Sequence, residues 1–198
     1  MSALGLGACE ATFEALVAAY REPQRRYHDA RHIADCLGLL DEVRDLAERP
    51  AEVELALWFH DAVYKTRAFD NEAKSADWAA QFLEDAGAEP AAAARVRDHI
   101  LATRHAAEPS SGDTALTVDI DLSILGRPPA LFDAFDRAVR EEYAWVPGFI
   151  YRRKRAEVLQ GFLDRPAIYV TPALQERFEA PARANLQRAL GRLAPEAE

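Results

Sequence analysis

Residues 29–43 read DARHIADCLGLLDEV. Ile33, Leu37, Leu40 and Val43 fall at i, i+4, i+7 and i+10, the period of an amphipathic helix, and Asp29 stands where an N-cap belongs. The same period recurs on both sides. Phe13, Leu16, Val17 and Tyr20 fit one face of an earlier helix that ends near Pro23. Pro50 can open a third helix through Val53, Ala56, Leu57 and His60. Residues 71–86 read as a fourth, with Trp78, Phe82 and Leu83 apolar and Gly87 as its stop, and Pro90 to about Arg104 as a fifth. The clearest loop is EPSSGD (108–113). Residues 115–125 are apolar almost all round apart from Asp119 and Asp121, and stop at Gly126–Arg127–Pro128–Pro129. Three more helices are expected at roughly 130–145, 149–164 and 172–191. Only Ala167–Thr171 (AIYVT) looks strand-like, and it is too short to make a sheet alone. The spacing predicts one all-α domain over residues 1–198, a single-domain helical bundle with a core at about 20–171 and a C-terminal helix at about 172–191.

Composition agrees with a packed domain and narrows the functions open to it. In 198 residues, 49% are hydrophobic and 29% charged, which excludes a disordered or low-complexity chain. No apolar run approaches the length of a membrane span, and MSALGLGACE has no basic region before its short apolar stretch, so no membrane partner and a cytoplasmic location are expected. Cys9 and Cys36 are expected as free thiols. A formal charge of −9 argues against a general nucleic-acid binder, while a local basic patch could still hold one small phosphorylated molecule. A homodimer is a reasonable default, without support from a heptad seam or an apolar stripe. GLG at 5–7 follows no strand and lacks a P-loop lysine.

Four of the five histidines keep telling company. His28 and His32 share a helix face if the second helix starts at or before His28. His60 and Asp61 end an apolar helix in LALWFHDAVY. Asp119 and Asp121 lie inside LTVDIDLSIL, where an unpartnered carboxylate would be costly. A shared ion is the economical solution: His32, His60, Asp61 and one of the later aspartates give two neutral nitrogens and two anionic oxygens. Such mixed ligation suits one Mn, Fe, Co, Ni or Zn per chain and disfavours Mg. The bland readings are a core histidine, an isolated His-Asp pair and a capping aspartate. What sets them aside is the ordered set, with each member in a different apolar helix.

In that order, YHDARHI (27–33), WFHDAVY (58–64) and DIDLSILG (119–126) resemble the metal motifs of the HD-domain superfamily of metal-dependent phosphohydrolases. The wider pattern, RRYHDARHI, FHDAVYKTRAFDNEAKSA, ILATRH, DIDLSILG and VREEYAWV, is similar to a small branch of predicted phosphohydrolases and runs from about Tyr20 to Thr171. The resemblance implies an HD-type bundle, with His32, His60, Asp61 and Asp121 as metal ligands. Asp121 is preferred to Asp119 because Asp121-Leu122-Ser123 is similar to the last-ligand motif of cyclic-nucleotide phosphodiesterases in that superfamily. Two residues apart on a regular helix, the two aspartates would point about 200° apart. Tyr27-His28 also looks like those enzymes, which makes His28 the candidate general acid. In binuclear members, histidines in the region of RDHILATRH (97–105) bind a second metal, so His105, and less so His99, are candidates for a second ion.

A phosphate would want basic groups near the ion. Arg25, Arg26, Arg31, Lys65, Arg67, Arg140 and the run 152–155 are available, most of them as solvated faces. Lys65, just past the His-Asp pair, and Arg155 are the candidate phosphate contacts. Asn71 and Glu72 could line the pocket, or Asn71 could simply cap its helix. Trp58, Phe59, Trp78 and Phe82 recur at helical spacing and are expected in the core. The implied activity is hydrolysis of a phosphomonoester or phosphodiester, plausibly of a nucleotide, by metal-activated water, with Asp61, His28 and Lys65 in the catalytic roles. The alternatives are an HD-type di-iron oxygenase and a non-catalytic nucleotide-binding module.

Overall fold

The structure, a computed structural model, describes residues 10–105 and 112–194. Cys9, the GLG at 5–7 and positions 108–111 of the expected loop lie outside the described residues. The α-helices are α1 (Glu10–Tyr20), α2 (Ala30–Glu42), α3 (Pro50–Phe59), α4 (Asn71–Asp85), α5 (Pro90–Ala102), α6 (Asp113–Asp121), α7 (Pro129–Glu142), α8 (Gly148–Leu163) and α9 (Pro172–Leu193), with 3-10 turns at Arg44–Leu46 and Leu122–Gly126. The described residues contain no strand, so the fold is all-α. None of their helices is long and apolar enough to cross a membrane. The starts follow the expected chemistry. Asp29 caps α2, its carboxylate accepting from the Arg31 amide at 2.8 Å. Pro50, Pro90, Pro129 and Pro172 each occupy a first helical position, where the missing N–H costs nothing. Gly87 takes φ +73° just past α4, a conformation open to glycine.

The chain forms two compact units, Met1–Asp121 and Leu122–Glu198. In the first, α3 packs against α2, α4, α5 and α6, and α4 lies along α5. Phe59 is fully buried, stacked on Phe82 and met edge-on by Trp78, each at 5.6 Å, so this aromatic group belongs to the core as expected. Ile33, Leu55, Leu83, Val96 and Ile100 join them in that core. Phe13, on the same helix as the buried Leu16 and Tyr20, is 44% exposed and meets the Trp58 ring edge-on at 5.7 Å. The register of α6 is set at its start: the buried Asp113 carboxylate accepts from the amides of Glu48 and Arg49, each at 2.8 Å, just before α3 begins. α6 therefore runs beside α3, and Asp121 at its last residue reaches the end of α3, where His60 stands.

In the second unit α9 packs on α8 and on the 3-10 turn. Gly126 sits where a Cβ would come within 2.7 Å of Phe178, which explains a glycine there. The strand-like AIYVT forms no strand. Its Ile168 and Tyr169 amides donate to the Glu179 carboxylate at 3.0–3.1 Å, and the Tyr169 hydroxyl donates to the Leu122 carbonyl at 2.9 Å. Side-chain acceptors supply what a neighbouring strand would have offered.

Candidate metal centre

Three helix ends of the first unit bring the candidate ligands together. His32 lies in the first turn of α2, His60 caps α3, Asp61 follows it, and Asp121 closes α6. His32 Nε2 stands 3.1 Å from His60 Nε2 and 3.2 Å from Asp121 Oδ1. Asp61 Oδ2 is 3.1 Å from His60 Nε2 and 3.6 Å from His32 Nε2, and Asp121 Oδ1 is 3.5 Å from His60 Nε2. Two donors that are each about 2.1 Å from a common ion stand about 3.0 Å apart at a right angle and about 3.4 Å apart at the tetrahedral angle. The five separations, 3.1–3.6 Å, lie close to those edges, and the donor atoms of His32, His60 and Asp61 all fall within 4.8 Å of one another, a group that could hold a metal ion. Two imidazoles and two carboxylates also balance a divalent charge, so the residues fit a first-row ion.

The His60 ring is held from behind. His60 Nδ1 lies 2.9 Å from the Leu57 carbonyl, which can only accept. The Nδ1–H must donate to it, and Nε2 is left facing the cluster. Behind Asp61, the side chain of Arg25, only 1% exposed, donates to three backbone carbonyls: His28 at 2.9 Å, Asp61 at 2.7 Å and Ala62 at 3.0 Å. Its Nε pairs with Glu22 at 3.0 Å, and the guanidinium lies 5.2 and 5.4 Å from the centroids of the Tyr20 and Tyr64 rings. Arg25 thus ties the segment before α2 to the His60–Asp61 turn. The buried Ser75 hydroxyl accepts from the Val63 amide at 3.0 Å. Asn71 exchanges two hydrogen bonds with the Lys65 backbone, so it pins this loop, while Asp70 holds the cap position of α4.

No family model, curated protein or solved structure matches this chain. The chemistry of the centre rests on its own geometry.

His28 precedes α2, because Asp29 is the cap, so it shares no helix face with His32. It nevertheless comes close: the two ring centroids are 6.1 Å apart, with His28 stacked on Tyr64 at 4.2 Å and met edge-on by Tyr27 at 5.0 Å. His105 Nε2 approaches Asp121 Oδ2 at 3.1 Å. Its backbone takes φ +55°, a left-handed conformation that costs a residue with a Cβ about 1 kcal/mol or more. His99 lies elsewhere, buried, with Nδ1 2.9 Å from the Thr114 hydroxyl. Of the two later aspartates, Asp119 is fully buried, and Asp121 brings its oxygens to His32, His60 and His105. Lys65 is exposed in the loop after Asp61. Arg155, in the second unit, has its guanidinium on Asp136 at 2.9–3.0 Å, so a phosphate there would have to displace a carboxylate.

Two residues at the centre carry no role in the motif reading. Arg25 was one of several arginines beside the first motif, and nothing in its neighbours announces three distant carbonyls. Cys36 did leave a signal, since it lies four residues after His32 on the same helix.

The electrostatics of the metal-free cluster follow from its packing. Burial pushes His60 towards the neutral form, but Asp61 and Asp121 outweigh it and hold the imidazolium well above the usual histidine range. Burial would also raise both carboxyls. The His60 charge outweighs it, and Asp61 and Asp121 are held below the usual carboxylate range. At neutral pH the two aspartates are therefore already ionised, whereas His60 carries a proton that an ion must displace. Metal affinity should rise with pH, by up to about tenfold per unit, and level off above the His60 pKa. Calorimetric titration of the metal-free protein in buffers of different ionisation enthalpy measures the released proton. A pH-independent affinity with no proton release would show that His60 does not ligate.

Proposed function

We propose that this protein is a metal-dependent phosphohydrolase that cleaves a phosphomonoester or phosphodiester, with nucleotides as the substrate class to test first. The observation that supports the reading is the convergence of His32, His60, Asp61 and Asp121, from the ends of three helices, with five donor separations of 3.1–3.6 Å. The motif resemblance adds the phosphoester chemistry. When bound, a divalent ion would supply a Lewis acid for a phosphoryl oxygen and lower the pKa of water towards neutrality. The chain's own groups do the rest. The Leu57 carbonyl and Arg25 orient the His60–Asp61 turn. His28, packed between Tyr27 and Tyr64, would give a proton to the departing oxygen. Lys65 offers an exposed ammonium to the phosphate charge.

The oxygen-using alternative asks for further histidines beside a shared carboxylate. His105 meets Asp121 there, but His99 is bonded to Thr114, which favours hydrolysis with one ion or two. The test is a screen of the full chain, stripped of metal and reloaded in turn with Mn, Co, Ni, Zn, Fe or Mg, against phosphomonoesters and phosphodiesters that include nucleotides. Release of phosphate or of the alcohol with at least one ion, and none without it, is the expected result. Saturable nucleotide binding without turnover under every ion would move the protein to the binding-module reading. Oxygen uptake with two irons per chain would move it to the oxygenase.

A further inference from the structure

The loop that leaves the His60–Asp61 turn closes on itself before α4 begins. The Asn71 side chain accepts from the Lys65 amide at 3.1 Å and donates to the Lys65 carbonyl at 3.0 Å, and the Ala68 amide donates to the same carbonyl at 2.9 Å. Asp70 is tied to the start of α4: its carbonyl accepts from the Lys74 amide at 3.0 Å, and its carboxylate meets the Lys74 ammonium at 2.9–3.0 Å. Bonds that join the two ends of a short loop hold its shape. Phe69 stands two residues before Asn71, so its Cα lies within about 7 Å of the Cα of a residue bonded to Lys65. At the root of the loop, Tyr64 is buried and stacks on His28 at 4.2 Å, and the His28 ring lies 6.1 Å from that of His32. The loop is therefore anchored beside the metal centre.

On this braced loop the Phe69 side chain is 93% exposed, whereas the other exposed large apolar side chains among the described residues reach 38–69%. Single apolar side chains are common on protein surfaces. This one is set apart by its company: the Lys65 ammonium, also exposed, follows the buried Tyr64 on the same short loop. An aromatic face can stack on any nucleobase, and a cation matches a phosphate.

We propose that Phe69 is the platform on which the base of a nucleotide stacks while its phosphate lies at the metal centre, so that the substrate class is nucleotides rather than sugar phosphates. The proposal rests on the phosphoester reading above and adds to it the group that the phosphate carries.

The test compares AMP and UMP with ribose 5-phosphate, which keeps the sugar and phosphate and lacks the base. Each is titrated into the full chain loaded with its preferred ion, and Kd is read, or KM where the probe turns over. Wild type should hold both nucleotides at least about tenfold more tightly than ribose 5-phosphate. Phe69→Ala should weaken both nucleotides by about tenfold or more and leave ribose 5-phosphate unchanged, and Phe69→Trp should restore them. Lys65→Ala should instead weaken all three. Metal content should stay at one level throughout, because the Phe69 side chain is not among the ligands. Equal affinity of wild type for the three probes, or a Phe69→Ala variant that shifts all of them or none, would overturn the role of Phe69 and leave the centre standing. Failure of every probe to bind the metal-loaded protein would overturn the phosphoester reading, and this proposal with it.

Discussion

Asp61→Ala is expected to lose the ion and the activity together while the chain stays folded. The carboxylate is one of two negative charges that balance a divalent ion, and it contacts both imidazoles. Without it an ion would sit in a largely buried cluster with an uncompensated positive charge. A fall in affinity of at least about 100-fold is expected, since even partners that only orient ligands are worth about 10- to 100-fold. The fold should survive because Arg25 grips the backbone carbonyl of residue 61, which alanine retains. Metal content by elemental analysis, helicity by circular dichroism and turnover in the preferred ion check the three parts. Lys65→Ala is the contrast: its exposed side chain touches no ligand, so the ion should stay and only KM for a phosphorylated substrate should rise. Wild-type metal content in Asp61→Ala would remove Asp61 from the ligand set, and wild-type turnover would remove it from the reaction.

How far the sequence could lead here differs between the fold and the centre. Helices were legible because their signals are local. Asp29 caps α2 through its own neighbour's amide, and each helix-opening proline acts on the turn it sits in. AIYVT misled for the complementary reason: β-branched and aromatic residues announce an extended backbone but say nothing about what will bond it, and Glu179 does so from α9. At the centre, His32, His60, Asp61 and one of the two later aspartates could be singled out as polar residues in apolar helical stretches, and the motif resemblance chose Asp121 over Asp119. That His28 falls outside α2 was implicit in Asp29 being the cap, yet the approach of its ring to His32 depends on Tyr64, 36 residues further on. The direction of His99, towards Thr114, depends on how α5 meets α6, a matter of tertiary packing. Local chemistry is written in neighbouring letters. The partners of a buried polar group are not.

Arg25 is the sharpest case of such a group, and Arg25→Met is expected to cost the largest share of stability of any substitution near the centre. Three carbonyls, of His28, Asp61 and Ala62, would lose a charged donor, and Glu22 would keep only Gln24 as a partner. A buried acceptor left unmet costs about 1–3 kcal/mol. Relaxation and water entry recover part of that sum, so the expected loss is about 3–5 kcal/mol. For a chain of this size that corresponds to a melting midpoint lower by about 10 °C. Metal affinity should fall as well, by about tenfold, because the turn that carries His60 and Asp61 loses its tether. Arg25→Lys separates charge from geometry. An ammonium keeps the cation between Tyr20 and Tyr64 but cannot fan out to three carbonyls and Glu22, so it should fall between wild type and Arg25→Met. An Arg25 that served only to contact phosphate would make the opposite forecast, an unchanged midpoint and a higher KM. A midpoint within a degree or two of wild type in Arg25→Met would show that the His60–Asp61 turn holds its place without this arginine.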